Sequence, residues 1–191
     1  GNEGLDADVL LCWGRRPGDS WNAPTTGPGG FGSNTGASSL TMGSRSYGDG
    51  EHGCFVQADG IVSCWGDNSA GQLGRTGVAS DLTEEPVDLE IGSSQTVVAG
   101  GNFTCALGED GVELTCWGTL ANCLESDSQS IETRTVHATE MGWSAFGGMA
   151  AGSSHVCAWS AAGEVACWGK NHKFQCGYNS GDLTCDPQLV D

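Results

Sequence analysis

The clearest pattern in the chain is a pair of short β-rich runs on either side of a Gly-containing dipeptide. It occurs in the segments from His52 to Cys64, Phe103 to Cys116 and His155 to Cys167, with Asp59-Gly60, Asp110-Gly111 and Ala162-Gly163 at the break. Such runs predict β-hairpins. A three-residue loop at Ala58 to Gly60, with Gly60 in the left-handed position, sets Gln57 opposite Ile61 and, three steps out, Cys54 opposite Cys64. The same count around Ala161 to Gly163 sets Cys157 opposite Cys167. Directly opposed residues have the Cα separation that a disulfide requires, so register alone predicts both bonds. The middle hairpin pairs Cys105 with Cys116 and has one extra residue, which a bulge in Val112 to Thr115 would absorb.

Each hairpin ends in Cys-Trp-Gly, and the tripeptide stands four times, at Cys12-Trp13-Gly14, Cys64-Trp65-Gly66, Cys116-Trp117-Gly118 and Cys167-Trp168-Gly169. The spacings are 52, 52 and 51 residues. That period belongs to propeller blades, small sheets that bury their faces only by stacking on neighbours. We therefore expect an all-β fold of β-propeller-type blades with disulfide-stapled hairpins and little helix. The 191 residues hold about 3.7 repeats in one domain, with a degenerate first repeat over 1–46, then 47–98, 99–149 and an incomplete 150–191. Trp13, Trp65, Trp117 and Trp168 recur at one position and should pack between blades. Trp21, Trp143 and Trp159 fall outside that register and are candidates for a binding surface, with core packing as the other reading.

After the tripeptide, unit two continues Asp67-Asn68-Ser69-Ala70-Gly71-Gln72-Leu73-Gly74 and unit four continues Lys170-Asn171-His172-Lys173-Phe174-Gln175-Cys176-Gly177, so Cys176 replaces Leu73. Cys123 reaches the same place in unit three after a two-residue deletion. Cys176 has a local partner in Cys185 across the turn-like run from Tyr178 to Asp182. Cys12 and Cys123 are left over, and a thiol without a local mate in an oxidised protein often bonds between chains or over a long range. Gaps of nine or ten residues between paired cysteines do not suit zinc, so disulfides are expected and with them an oxidising compartment.

Charge narrows the partners. The net charge is -17, with 24 acids, 7 bases and no basic cluster, which argues against nucleic acid and anionic membrane. No apolar stretch approaches the ~20 residues of a membrane span. Seven Trp, five Phe and 38% hydrophobic residues still provide enough burial to fold a chain this acidic.

Catalytic chemistry is not visible. His52 and His155 occupy one repeat position, filled in unit three by Phe103, so a structural role is expected for both. His137 has no nucleophile or acid at motif spacing, and His172 is an ordinary exposed residue once Cys176 and Cys185 are oxidised. The acids Glu84, Glu85, Asp88 and Glu90 read as a solvated connector without the calcium-loop spacing. No catalytic, cofactor or metal site is expected. Asn102-Phe103-Thr104 fits a glycosylation sequon.

The run from Ala99-Gly100-Gly101-Asn102-Phe103-Thr104-Cys105 through Asp110-Gly111 to Cys116-Trp117-Gly118, joined to the Gln72-Leu73-Gly74 tail, resembles the regulator-of-chromosome-condensation repeat over roughly residues 47 to 191. The resemblance implies a propeller of blades of about fifty residues, in a Cys-bearing form similar to the secreted bacterial branch of the family. Arg15 to Tyr47 departs from the pattern. The exchange-factor and chromatin roles of the eukaryotic founder do not suit a basic-poor, disulfide-bonded chain, and a secreted inhibitor of β-lactamases in the family supports protein binding as a class. We expect a secreted, extracellular or cell-surface scaffold that binds another extracellular protein or assembles with itself. An enzyme inhibitor, or an enzyme with a site assembled across blades, is the alternative. The pattern opens on the second strand of a hairpin at Asp8 to Trp13 and closes on Pro187 to Val190, so the chain is a piece of a longer propeller, half of a ring closed by two copies, or a partial propeller completed head to tail by strand complementation into a filament, and self-association is the preferred expectation.

Overall fold

Strands form where β-branched and aromatic residues alternate and stop where Gly turns the chain, and three four-stranded antiparallel sheets result. The computed structural model describes residues 11–14, 22–26, 36–43, 52–76, 83–88, 91–120, 123, 132–179 and 184–190. The first sheet contains β3 (Ser39–Gly43), β4 (His52–Val56), β5 (Val62–Gly66) and β6 (Thr83–Asp88). The second contains β7 (Ser94–Ala99), β8 (Phe103–Gly108), β9 (Glu113–Gly118) and β10 (Thr133–His137). The third contains β11 (Phe146–Ala151), β12 (His155–Ser160), β13 (Val165–Gly169) and β14 (Thr184–Leu189). Each is a meander, the plan of a propeller blade. Ahead of them β1 (Leu11–Gly14) pairs with β2 (Asn22–Thr26).

The central hairpins have the register that places cysteines face to face. Cys54 lies opposite Cys64, Cys105 opposite Cys116 and Cys157 opposite Cys167, and all three pairs are disulfides with Cα separations of 4.1, 4.0 and 4.1 Å. The turn sets this phase: Gln57 N–H donates to Ile61 O at 2.8 Å, and because hydrogen-bonded and non-hydrogen-bonded pairs alternate, the third pair out, Cys54 with Cys64, is a closely spaced, non-hydrogen-bonded one. Gly60 supplies the left-handed turn residue at φ +85°.

The extra residue of the middle hairpin is not a strand bulge. Pairing runs unbroken from Leu107–Leu114 to Phe103–Gly118. The turn absorbs the insertion instead: Gly111 N–H donates to Gly108 O at 2.9 Å, and the Asp110 carboxylate accepts the Val112 N–H at 2.9 Å. A bulge at Val112 to Thr115 would have shifted the side chains beyond it out of the phase that seats Leu114 and Cys116 in the core.

The Gly of Cys-Trp-Gly is needed twice over. Gly66, Gly118 and Gly169 have φ of +103°, +86° and +106°. At Gly118 a Cβ would also lie 2.5 Å from Asn102 O. Here the chain leaves the sheet for the polar tail, whose hydrogen bonds are internally satisfied. Asn68 accepts the Leu73 N–H at 2.9 Å and donates to Arg75 O at 2.9 Å, while Gln72 donates to the Asp67 carboxylate at 2.7 Å. Unit four repeats the plan, with Asn171 accepting the Cys176 N–H at 2.9 Å.

That plan overturns the local bond expected between Cys176 and Cys185. Cys176 takes the buried place of Leu73, held by Asn171, and is a free thiol at 1% exposure. Cys185, on β14, instead bonds Cys123. Cys123 thus lies between β9 and β10 of the second sheet, so the bond ties two blades together and Cys123 is no longer left over. Cys12 lies in β1 opposite Thr25; its side chain lies outside the described residues.

Candidate functional site

Every blade has two unlike faces, and the joints between blades show what each face fits. The back face of the first blade presents Cys54, Val56, Val62 and Cys64, and it packs on the front face of the second, which presents Val97, Ala106 and Trp117. The back face of the second presents Phe103, Cys105, Leu107, Leu114 and Cys116, and it packs on the front of the third at Met149, Val156, Ala158, Ala166 and Trp168. Trp117 and Trp168, at 1% and 0% exposure, thus lie between blades as the repeat position implied. Trp117 Nε1 also donates to Gln72 O at 3.0 Å, and Thr104 Oγ1 donates to the same carbonyl at 2.8 Å, which locks the first tail onto the second blade.

The residue two places before the first Cys of each hairpin lies over a glycine of the adjoining segment of the chain. His52 lies over Gly43, Phe103 over Gly100 and His155 over Gly152, where an added Cβ would meet the ring at 2.3, 2.0 and 2.2 Å. His52 Nε2 pairs with Thr104 Oγ1 at 2.9 Å in the buried joint. Desolvation there pushes its pKa down to about 4, against the pull of Asp67. His155 is shifted in the same direction by burial. The hydroxyl of the sequon residue Thr104 is consumed in this network.

Among the described residues, no blade packs on the back face of the third blade. Trp159 is 38% exposed, and Cys157, Val165 and His155 are half-buried, whereas their counterparts in the first two blades are all at 1% exposure or less. On β11 the same face presents Gly148 and Ala150, opposite Trp159 and Cys157. The Trp159 indole lies along the sheet, with Cζ2 2.3 Å from where a Gly148 Cβ would sit. The result is a shallow apolar surface of Trp, a disulfide and small residues.

The three Trp candidates separate here. Trp159 lies on this surface. Trp143 is at 4% exposure and meets Phe146 edge-on at 5.8 Å, so it belongs to the core between the second and third blades rather than to a binding surface. Its position after the single 3-10 turn, Ala138–Met141, folds it inward. Trp21 lies outside the described residues. No group of three or more potential metal ligands occurs among the described residues. Sequence reasoning missed Gly148 and Ala150, which become visible only once the back face is mapped.

Comparison with known proteins agrees with this plan. Residues 59–107 match the regulator of chromosome condensation (RCC1) repeat. The chain is 28% identical over 150 residues to the ultraviolet-B receptor UVR8 of Arabidopsis thaliana, covering 73% of this chain and 32% of that one. The chain thus spans about a third of the length of that curated relative. Among solved structures it superposes on human WBSCR16 with a TM-score of 0.73 at 21% identity, covering 90% of this chain and 44% of that one. Yeast RCC1 (Prp20), solved bound to Kap60, gives a TM-score of 0.61 at 20% identity over 78% of this chain and 36% of that one. Repeat motif, blade plan and relatives agree: residues 59–107 match a regulator of chromosome condensation repeat, and the chain is similar in fold to the propellers built from it.

Proposed function

We propose that the chain is a secreted or cell-surface, non-catalytic scaffold that binds another protein through the back face of its third blade. The observation that carries this reading is positional: Cys157, Trp159 and Val165 stand open where the equivalent side chains of both other blades are sealed under a neighbour. Exposed apolar surface of this kind marks an interaction site, and a half-exposed Trp over glycine is a ready anchor. The yeast relative bound to Kap60 supports protein as the class of partner. Four disulfides among the described residues, with the acidic composition, support an oxidising extracellular setting in the Cys-bearing secreted branch of the family. No helix among the described residues is long and apolar enough to cross a membrane.

Native mass measurement on material from its source tests the reading. A bound protein is expected with the unaltered chain and its loss with Ala150→Arg, which places charge on an exposed position of the face. Partner binding unchanged by Ala150→Arg would sink the assignment of the face.

A further inference from the structure

We propose that the Cys123–Cys185 disulfide is a redox latch, which an external dithiol opens while the sealed hairpin disulfides stay closed, and whose opening frees β14 from the second blade. The bond differs from the others in where it runs. Cys54–Cys64, Cys105–Cys116 and Cys157–Cys167 each join neighbouring strands of one hairpin at separations of 10, 11 and 10 residues, whereas Cys123–Cys185 spans 62 residues and two blades. Cutting a hairpin bond leaves its ends opposed in an unbroken ladder. Cutting the fourth leaves no ladder between its ends, because the β9–β10 and β13–β14 pairs belong to different sheets.

Access separates the bond as well. Cys54, Cys64, Cys105 and Cys116 are at 1% exposure or less, so an attacking thiolate has no approach to them. Cys123 and Cys185 are both half-buried, and exposed disulfides are the labile and regulatory ones. Cys157 is half-buried too, but its partner Cys167 is at 3% exposure and stays opposite it in the ladder. Cys176 is held in its own tail, with Sγ donating to Lys170 O at 3.7 Å, so the attacking thiol comes from outside.

The blade closes without this bond. β6 returns to β5 in the register that β14 makes on β13: Ser63–Asp88, Cys64–Val87 and Gly66–Thr83 correspond to Ala166–Leu189, Cys167–Gln188 and Gly169–Thr184, each with a bulge opposite the Trp. Glu84, Glu85 and Pro86 thus stand where β14 has Cys185, Asp186 and Pro187, and the first blade makes its bulge with no cysteine in it. What the bond adds is a tie between blades. The joint between the first and second blades carries side-chain hydrogen bonds, with Thr41 Oγ1 accepting the Ala99 N–H at 3.0 Å and His52 meeting Thr104 at 2.9 Å. In the joint between the second and third, register puts Val98, Phe103 and Val156 at the places of Thr41, His52 and Thr104, and these cannot make such bonds. Gly101 N–H donating to Ser153 O at 2.9 Å ties the turn after β7 to the turn after β11. Near β14 the disulfide is accompanied by the pair of Arg134 with Asp186, an exposed ion pair that holds little alone.

The step is thiol–disulfide exchange. A thiolate of the dithiol attacks one sulfur, the Cys123–Cys185 bond breaks, and the displaced cysteine leaves as a thiolate that takes a proton. The second thiol of the reductant then resolves the mixed disulfide, so the chain gains two electrons and two protons as the dithiol becomes a disulfide.

Dithiothreitol titrated into the folded 191-residue chain, with iodoacetamide alkylation and peptide mapping at each point, tests access, and hydrogen exchange on the same samples tests release. Cys123 and Cys185 should be alkylated at least about tenfold faster than Cys54, Cys64, Cys105 and Cys116, with far-ultraviolet circular dichroism retained. Amides of β14 should then exchange at least about tenfold faster while those of β4, β5 and β8 keep their protection, and oxidised glutathione should restore the slow exchange. The variant with Cys123→Ser and Cys185→Ser should show fast exchange of β14 without reductant. The three sealed or partly sealed hairpin bonds opening together with Cys123–Cys185 in one unfolding step overturns the latch. Selective opening that leaves β14 protected, or a double variant in which β14 stays protected, makes the bond a passive staple and overturns it equally.

Discussion

Acid should weaken the joint between the first and second blades through one residue, His52. Its side chain is buried at 1% exposure against Thr104, and desolvation holds its pKa at about 4, below the ordinary 6.5. A histidine whose folded pKa lies below its unfolded value favours the unfolded chain wherever protons are available. Its contribution is complete above the unfolded pKa and is lost as pH falls from 6.5 towards 4. Between pH 7 and pH 4.5 the linkage amounts to about 2 kcal/mol. Other groups add their own pH dependence, so the test is a difference between two proteins. His52→Phe places in the first blade the residue that Phe103 supplies in the second, and Thr104 keeps its bond to Gln72 O at 2.8 Å. Urea unfolding at pH 7 and pH 4.5 should show the unaltered chain losing about 2 kcal/mol more than the variant. Equal losses would refute the assignment of the proton to His52.

The remaining expectations concern the elements that hold the blades. Gly118→Ala should cost more than about 3 kcal/mol, since the new methyl combines a left-handed backbone with a 2.5 Å approach to Asn102 O. Gly163→Ala, at φ +89° with nothing near, should cost only about 1–2 kcal/mol in the same thermal scan. Asn68→Ala strands the buried Leu73 N–H and the Arg75 carbonyl, a loss of about 2–4 kcal/mol by urea titration. Replacing Cys123 and Cys185 together by Ser opens a loop of separation 62 and should cost about 4 kcal/mol, against about 3 for the pair Cys157 and Cys167 at separation 10. Non-reducing peptide mapping should join Cys123 to Cys185 and find Cys176 alkylated only after unfolding.

Much of this plan was legible because register is arithmetic. Once Gly60 and Gly163 fix the turns, Cys54–Cys64 and Cys157–Cys167 follow by counting, and the four Cys-Trp-Gly units fix the blade period. The errors came where a neighbour in space outweighed one in sequence. Cys176 was nine residues from Cys185, but its repeat position is the Leu73 pocket, and burial there withdraws the thiol. The inserted residue near Gly111 gave no sign of whether turn or strand would take it, and the need to keep Leu114 and Cys116 inward decided for the turn. Trp143 and Trp159 looked alike outside the repeat register. Only the stacking order shows that one lies between blades and the other on a face that none of the described blades covers.

Hydroxyl-radical footprinting of the dilute chain, read residue by residue by mass spectrometry, tests the stacking order and its open faces most directly. Trp159, at 38% exposure, and Met42, at 56%, should oxidise readily, while Trp117, Trp168 and Trp143, at 4% or less, should be protected. Oxidation of Trp117 or Trp168 as fast as Trp159 would contradict the packing of back face on front face from which the binding surface is inferred.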